Sequence, residues 1–251
     1  MHRPCANCSH QYRSTRTTTT YKQRALESGR NPSVEVTHKA VMSLESLQYS
    51  RGALKVLDQL LLPHESKFVE VKGTDDAWSV IRTMQVRGAP LIAITAALGL
   101  AVEAEKHKIH ESSAFEAGKF LVEKMEKLRT SRPTAVNLFN AMDELTALVQ
   151  EVSRQENKSG TDVLEAYIIA AEEIWKEDIR TNRAMGQHGL AQILKLVNRD
   201  KIRVLTICNT GSLATAGYGT ALGVVRALHE ANKLEQVYAC ETRPYNQGEL
   251  L

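Results

Sequence analysis

This sequence is poor in cysteine and has no long apolar run and no decided net charge. Its longest apolar stretch, Leu91 to Val102, is shorter than the roughly 18 residues of a membrane span, and Arg87 and Glu103 flank it closely. No transmembrane segment is expected, and no charged-then-apolar leader is visible. Four cysteines in 251 residues are too few and too scattered for a disulfide framework, which points to a reduced, intracellular protein. The formal charge of +3 is unevenly placed: residues 1–41 hold seven Lys or Arg against two Glu, leaving 25 against 27 for the rest. A slightly acidic body lacks the basic footprint of a nucleic-acid binder. With 43% hydrophobic and 24% charged residues, the composition is that of a globular chain. It excludes a collagen-like, a fully disordered or a disulfide-stapled one.

Residues 1–41 contain no Phe, Ile or Trp and are crowded with Ser, Thr, Arg and Lys. Such a segment buries too little apolar area to offset its ordering entropy, so a disordered extension is predicted. Its composition also resembles an organelle transit peptide. Cys5 and Cys8 have the spacing of a zinc half-site, with His2 and His10 nearby, but a structural zinc needs a full set of four ligands. The preferred reading is a solvated tail, with no metal, and folded sequence beginning near Met42.

In the body, short apolar runs between Leu47 and Val71, broken at Gly52, Pro63 and His64-Glu65, predict a small antiparallel meander. Thr74-Asp75-Asp76 caps a helix carrying Ala77, Val80, Ile81 and Met84. Leu91 to Ala104 is apolar nearly all round, as in a helix buried in a bundle. A further helix follows Pro133, with Leu138, Met142, Leu145 and Val149 on one face. Another follows Thr161-Asp162, with Leu164, Ile168, Ala171, Trp175 and Ile179 on one face. After Asn198 the pattern changes to a strand (Ile202 to Cys208), a small-faced helix from Ala214 through Ala221 to Ala231, and a second strand (Val237 to Cys240). That is a βαβ unit. The expected fold is α/β: a disordered extension over 1–41, a mainly helical N-terminal domain with a meander over 42–198, and an incomplete Rossmann-like parallel-sheet domain over 199–251.

Several segments could carry chemistry. Arg87-Gly88-Ala89-Pro90 places a guanidinium and open backbone N–H groups at a helix start, an arrangement suited to phosphate; the alternative is a plain interhelical turn. Arg132, directly before Pro133, repeats it. Cys208 ends a strand just before an expected helix N-terminus, which favours the thiolate; the alternative is a small buried hydrophobe. Asn209-Thr210-Gly211-Ser212 is not the three-glycine dinucleotide pattern, so no nucleotide cofactor is expected. His188, between Gly186 and Gly189, reads as part of a hinge or an interdomain hydrogen bond; the alternative is a catalytic base. Gln247 offers an amide to a sugar hydroxyl or a phosphate.

Arg87–Pro90, Ser131–Leu138, Cys208–Thr215 and Glu241–Gly248, taken together and in this order, resemble the S-methyl-5-thioribose-1-phosphate isomerase family of methionine salvage. That family is related to the regulatory subunits of a translation initiation exchange factor. The resemblance covers Met42 to Gly248. It implies a helical domain on a Rossmann-like one, a homodimer, no metal or cofactor, and a cytoplasmic protein, with the nucleus as a second candidate compartment. It implies an aldose–ketose isomerisation by enolate or hydride shift, with Arg87, Gly88, Ala89, Arg132 and Gln247 binding substrate and Cys208 stabilising the transition state. The family's catalytic aspartate, in a Gly-Ala-Asp segment, and a following Asn-Lys pair have no counterpart before Leu251. The expectation is therefore a shortened and impaired form. The alternatives are a non-catalytic interaction subunit and an isomerase of ribose bisphosphate.

Overall fold

A computed structural model describes residues 45–107 and 113–240. Strands β1 (Leu47–Ser50), β2 (Ala53–Leu57) and β3 (Phe68–Val71) form the expected meander, antiparallel in the order β1-β2-β3. The two-residue turn between β1 and β2 needs Gly52, which sits at φ 82°. Helix α1 (Thr74–Arg82) starts from Gly73 with Asp75 and Asp76 in its first turn, and it buries Ala77, Val80 and Ile81. Met84, expected on the same face, lies past the helix end in the left-handed region at φ 66°.

Helix α2 (Ala89–His107) is the axis of the bundle, and every residue from Leu91 to Val102 is buried. Around it pack α1, α3 (Ala114–Arg129), α4 (Val136–Ser153) and α5 (Gly160–Leu196). Small residues let them approach: a Cβ on Gly99 would stand 2.5 Å from the Cβ of Ala77. The fully buried Tyr167 of α5 satisfies its hydroxyl by donating to the Ala97 carbonyl at 3.1 Å. Helices α3 and α5 both open with a capping box, Ser113 with Glu116 and Ser159 with Asp162, and the two capping serines form an antiparallel bridge.

Beyond the bundle, β4 (Ile202–Thr206), α6 (Ala221–Glu230) and β5 (Leu234–Ala239) form the anticipated βαβ unit, with β4 and β5 parallel. The fold is mixed α/β, as expected.

Four local expectations are corrected. Helix α3 was not anticipated. Helix α4 starts at Val136, so Pro133 belongs to the preceding turn and not to the helix. Gly186 to Gly189 is no hinge: it lies inside α5, which runs 37 residues without a break. The glycines serve packing there, since a Cβ on Gly186 would stand 2.8 Å from the Tyr218 ring and one on Gly189 2.7 Å from Val224. Ala214 to Thr220 is not α-helical either. Ser212–Ala214 is a single 3₁₀ turn, and α6 begins only at Ala221. Thr215 Oγ1 accepts from the N–H groups of Gly217 and Gly219, at 3.2 and 3.1 Å, in place of a helical ladder.

Candidate functional site

Arg87 and Gly88 form the corner that leads into α2. The first bond of that helix runs from Ile92 N–H to the Gly88 carbonyl at 2.9 Å, so the Ala89 N–H precedes the ladder. Neither α2 nor α4, the helices that follow Arg87 and Arg132, carries an acid in its first turn. Helices α1, α3 and α5 all do. The positive ends of α2 and α4 are thus not neutralised by their own first turns, and each has an arginine beside it. Arg87 is buried in its corner at 9% exposure.

Gly88 is pressed against the segment that follows Cys208. A Cβ there would lie 2.1 Å from the Ala214 Cα and 2.5 Å from its carbonyl oxygen. Only glycine allows the two backbones to meet so closely. The structure therefore brings the Arg87 corner and the Cys208 loop together.

Cys208 follows β4 as a free, exposed thiol in the left-handed region at φ 81°. Non-glycine residues in that region are strained and concentrate at functional sites. The expected helix dipole behind Cys208 is absent, because a 3₁₀ turn and not an α-helix follows. The exposed thiol also overturns its alternative as a buried hydrophobe. Asn209 Nδ2 and Thr210 Oγ1, the next two side chains, are buried without a hydrogen-bond partner among the described residues, as is Arg132 Nη1. Buried polar atoms in this state need a ligand or water to complete them.

Beside these segments opens a cleft of about 750 Å³. Pro90, Asn137 and Thr220 reach it, one from each neighbourhood, while Arg87, Arg132 and Cys208 do not line it. Ile94, Leu145 and Met185 form apolar wall, and Glu144, Glu173 and Asp178 contribute carboxylates. Burial pushes the Asp178 carboxyl up from its ordinary range, against the opposing pull of the Ala216 N–H and the Asn182 side chain. Sequence reasoning passed over Asp178, whose partner lies 38 residues away. Gln247 and the Glu241–Gly248 segment lie outside the described residues, as do Cys5 and Cys8.

A helical bundle with a meander, joined to a parallel βαβ unit across an arginine-and-glycine corner, defines a mixed α/β class seen in solved structures. One is 5-methylthioribose 1-phosphate isomerase from Pyrococcus horikoshii OT3, at 32% identity and a TM-score of 0.72 over 83% of this chain and 56% of that one. Another is the translation initiation factor eIF-2B, subunit delta, from A. fulgidus, at 36% identity and 0.67 over 82% and 57%. Residues 85–251 match the Initiation factor 2 subunit family, and the chain belongs to that family. Methylthioribose-1-phosphate isomerase from Drosophila pseudoobscura pseudoobscura is 50% identical over 214 residues, 82% of this chain and 59% of that protein. The protein of the same name from Ricinus communis is 50% identical over 210 residues, 83% and 55%. The chain thus spans between half and two thirds of the curated relatives it matches.

Proposed function

We propose that this chain binds a phosphorylated ribose and is by descent an isomerase of S-methyl-5-thio-α-D-ribose 1-phosphate, giving the ribulose 1-phosphate in methionine salvage. The contact of Gly88 with Ala214 carries the reading, because it sets a phosphate-type corner against the loop of a strained, exposed cysteine. Arg87, the backbone at Gly88 and Ala89, and Arg132 hold the phosphate. Gln247 contacts the sugar. A phosphate on the anomeric oxygen blocks simple ring opening, so the ring opens with acid help before hydrogen moves from C2 to C1. Cys208 stabilises the charge that develops in that transfer. The same reading makes the protein a cytoplasmic homodimer with the nucleus as a second compartment, and puts a domain boundary between α5 and β4.

The test is turnover of the purified chain on S-methyl-5-thioribose 1-phosphate, beside Cys208→Ser and Arg132→Ala. Whatever turnover the chain has is expected to fall in Cys208→Ser, and Arg132→Ala is expected to weaken binding of a phosphosugar analogue about 10- to 100-fold, as for a lost charge-assisted contact. Affinity unchanged in Arg132→Ala overturns the site. The likeness to the eIF-2B delta subunit favours a second reading, an interaction subunit without catalysis. Analogue binding with no turnover in the folded chain would select it.

A further inference from the structure

Ser46, Gln59 and Asp178 come from three separate parts of the fold and grip one short strip of backbone. Ser46, before β1, donates its hydroxyl to the Thr215 carbonyl at 2.6 Å. Gln59, after β2, donates its amide to the Leu213 carbonyl at 2.8 Å. Asp178, on α5, accepts from the Ala216 N–H at 2.8 Å. Ser46, Gln59 and Thr215 are essentially inaccessible to solvent.

The gripped strip includes Ala214, against which Gly88 rests. It is continuous with the Cys208 turn, and the Thr210 carbonyl is tied to the Thr220 N–H at 2.8 Å. On its other side, the Thr206 carbonyl accepts from the Cys240 N–H at 3.0 Å. Residues 207–220 form no strand and no α-helix, so bonds within the segment and side chains brought in from outside hold them in place of a ladder.

We infer that Ser46, Gln59 and Asp178 are positioning residues that act as a clamp, fixing Cys208 relative to the Arg87 corner. The inference rests on the functional reading of Cys208 given above, but the clamp itself is measurable without turnover. None of the three acts on substrate. Each holds backbone, and the loop in turn holds the thiol and the corner in register, as preorganised sites require. Asp178 is the one anionic member, and a bond from backbone to a carboxylate is stronger than a neutral one.

The experiment compares Asp178→Ala with Asp178→Asn in the full chain. Asparagine keeps an oxygen to accept the Ala216 N–H, and alanine does not. Two readouts are followed: amide hydrogen exchange over residues 209–220, and the rate of iodoacetamide labelling at Cys208, resolved from the other cysteines by peptide mass. Exchange in Asp178→Ala is expected to rise at least tenfold over that segment, with a changed Cys208 labelling rate, while Asp178→Asn stays within about threefold of the parent. Equal behaviour of the two variants, or no rise in either, overturns the clamp. If Asp178→Ala does not fold, Ser46→Ala carries the same test, with a several-fold rise over the same segment expected and no rise counting against the clamp. A loosened loop in a chain that binds no phosphosugar would leave the clamp standing and remove the functional reading alone.

Discussion

Gly88 and Ala214 touch backbone to backbone, with only 2.1 Å between the Ala214 Cα and the place a Gly88 Cβ would occupy. Neither partner is the end of a flexible side chain, so neither yields cheaply. Gly88→Ala is expected to push the α2 corner off the Cys208 loop, destabilising the chain by about 1–3 kcal/mol, as overpacking does. Urea unfolding measures it. A midpoint equal to the parent's would show that the corner has slack.

Helix propensity and packing make opposite predictions at Gly186. An alanine inside an exposed helix is about 1 kcal/mol better than glycine. Here its Cβ would lie 2.9 Å from the Gly223 carbonyl oxygen as well as against Tyr218, so Gly186→Ala is expected to lower the melting temperature. Gly217 has nothing within 4 Å of its Cβ position, so Gly217→Ala should be neutral or mildly stabilising. Both variants behaving alike in a thermal melt would dismiss the packing account.

Glu172 ties the meander to α5. It accepts from the Tyr49 hydroxyl and from Arg51 Nε and Nη2, each at 3.1 Å. The Arg51 guanidinium, helped by Tyr49 and Lys176, holds its carboxyl below the usual 4.5 despite partial burial. A lowered acid contributes stability that is present above its unfolded value and lost as pH falls through the lowered one. Because the Arg51 guanidinium is partly exposed and screened by water, Glu172→Gln should cost about 0.5–1.5 kcal/mol at neutral pH, with the gap closing in acid. Unfolding midpoints across an acid pH series test this, and a gap independent of pH would rule out the charge as its cause.

Asp178 has the opposite sign. Its burial raises the carboxyl above the ordinary 3.8, so the folded chain holds that proton more readily than the unfolded one. The charge costs stability at neutral pH, and the cost disappears as pH falls through the raised value toward 3.8. Asp178→Asn should unfold later than the parent at neutral pH and converge with it in acid. A parent more stable than Asp178→Asn at neutral pH would contradict this.

How much of this was legible depended on the range over which each feature is encoded. Alternation in β1 and β2, the all-apolar α2 and the 4-3-4 spacing of Leu138, Met142, Leu145 and Val149 are local patterns, and each marks its element. Helix α3 carries an equally local sign, the Ser113 and Glu116 box ahead of Ala117, Leu121, Met125 and Leu128. The small residues after Ala214 suggested a helix, but Gly219 at φ 89° and the Thr215 hydroxyl divert the backbone. Gly186 and Gly189 suggested a break because the cause of their small size, α6, lies outside their helix. The arginine corners and Cys208 could be picked out as chemical groups. Ser46 and Gln59 could not, since their partners lie 169 and 154 residues away.

The unbroken α5 has a mechanical consequence. At 1.5 Å per residue its 37 residues form a rod about 55 Å long, seated at one end among α2, α3 and α4 and at the other against α6. One degree of tilt at the seated end moves the far end by about 1 Å and the midpoint by about half as much. Asp178 sits midway along this lever with its hold on Ala216. The seating of α5 around its buried Tyr167 thereby bears on where the Ala216 backbone stands.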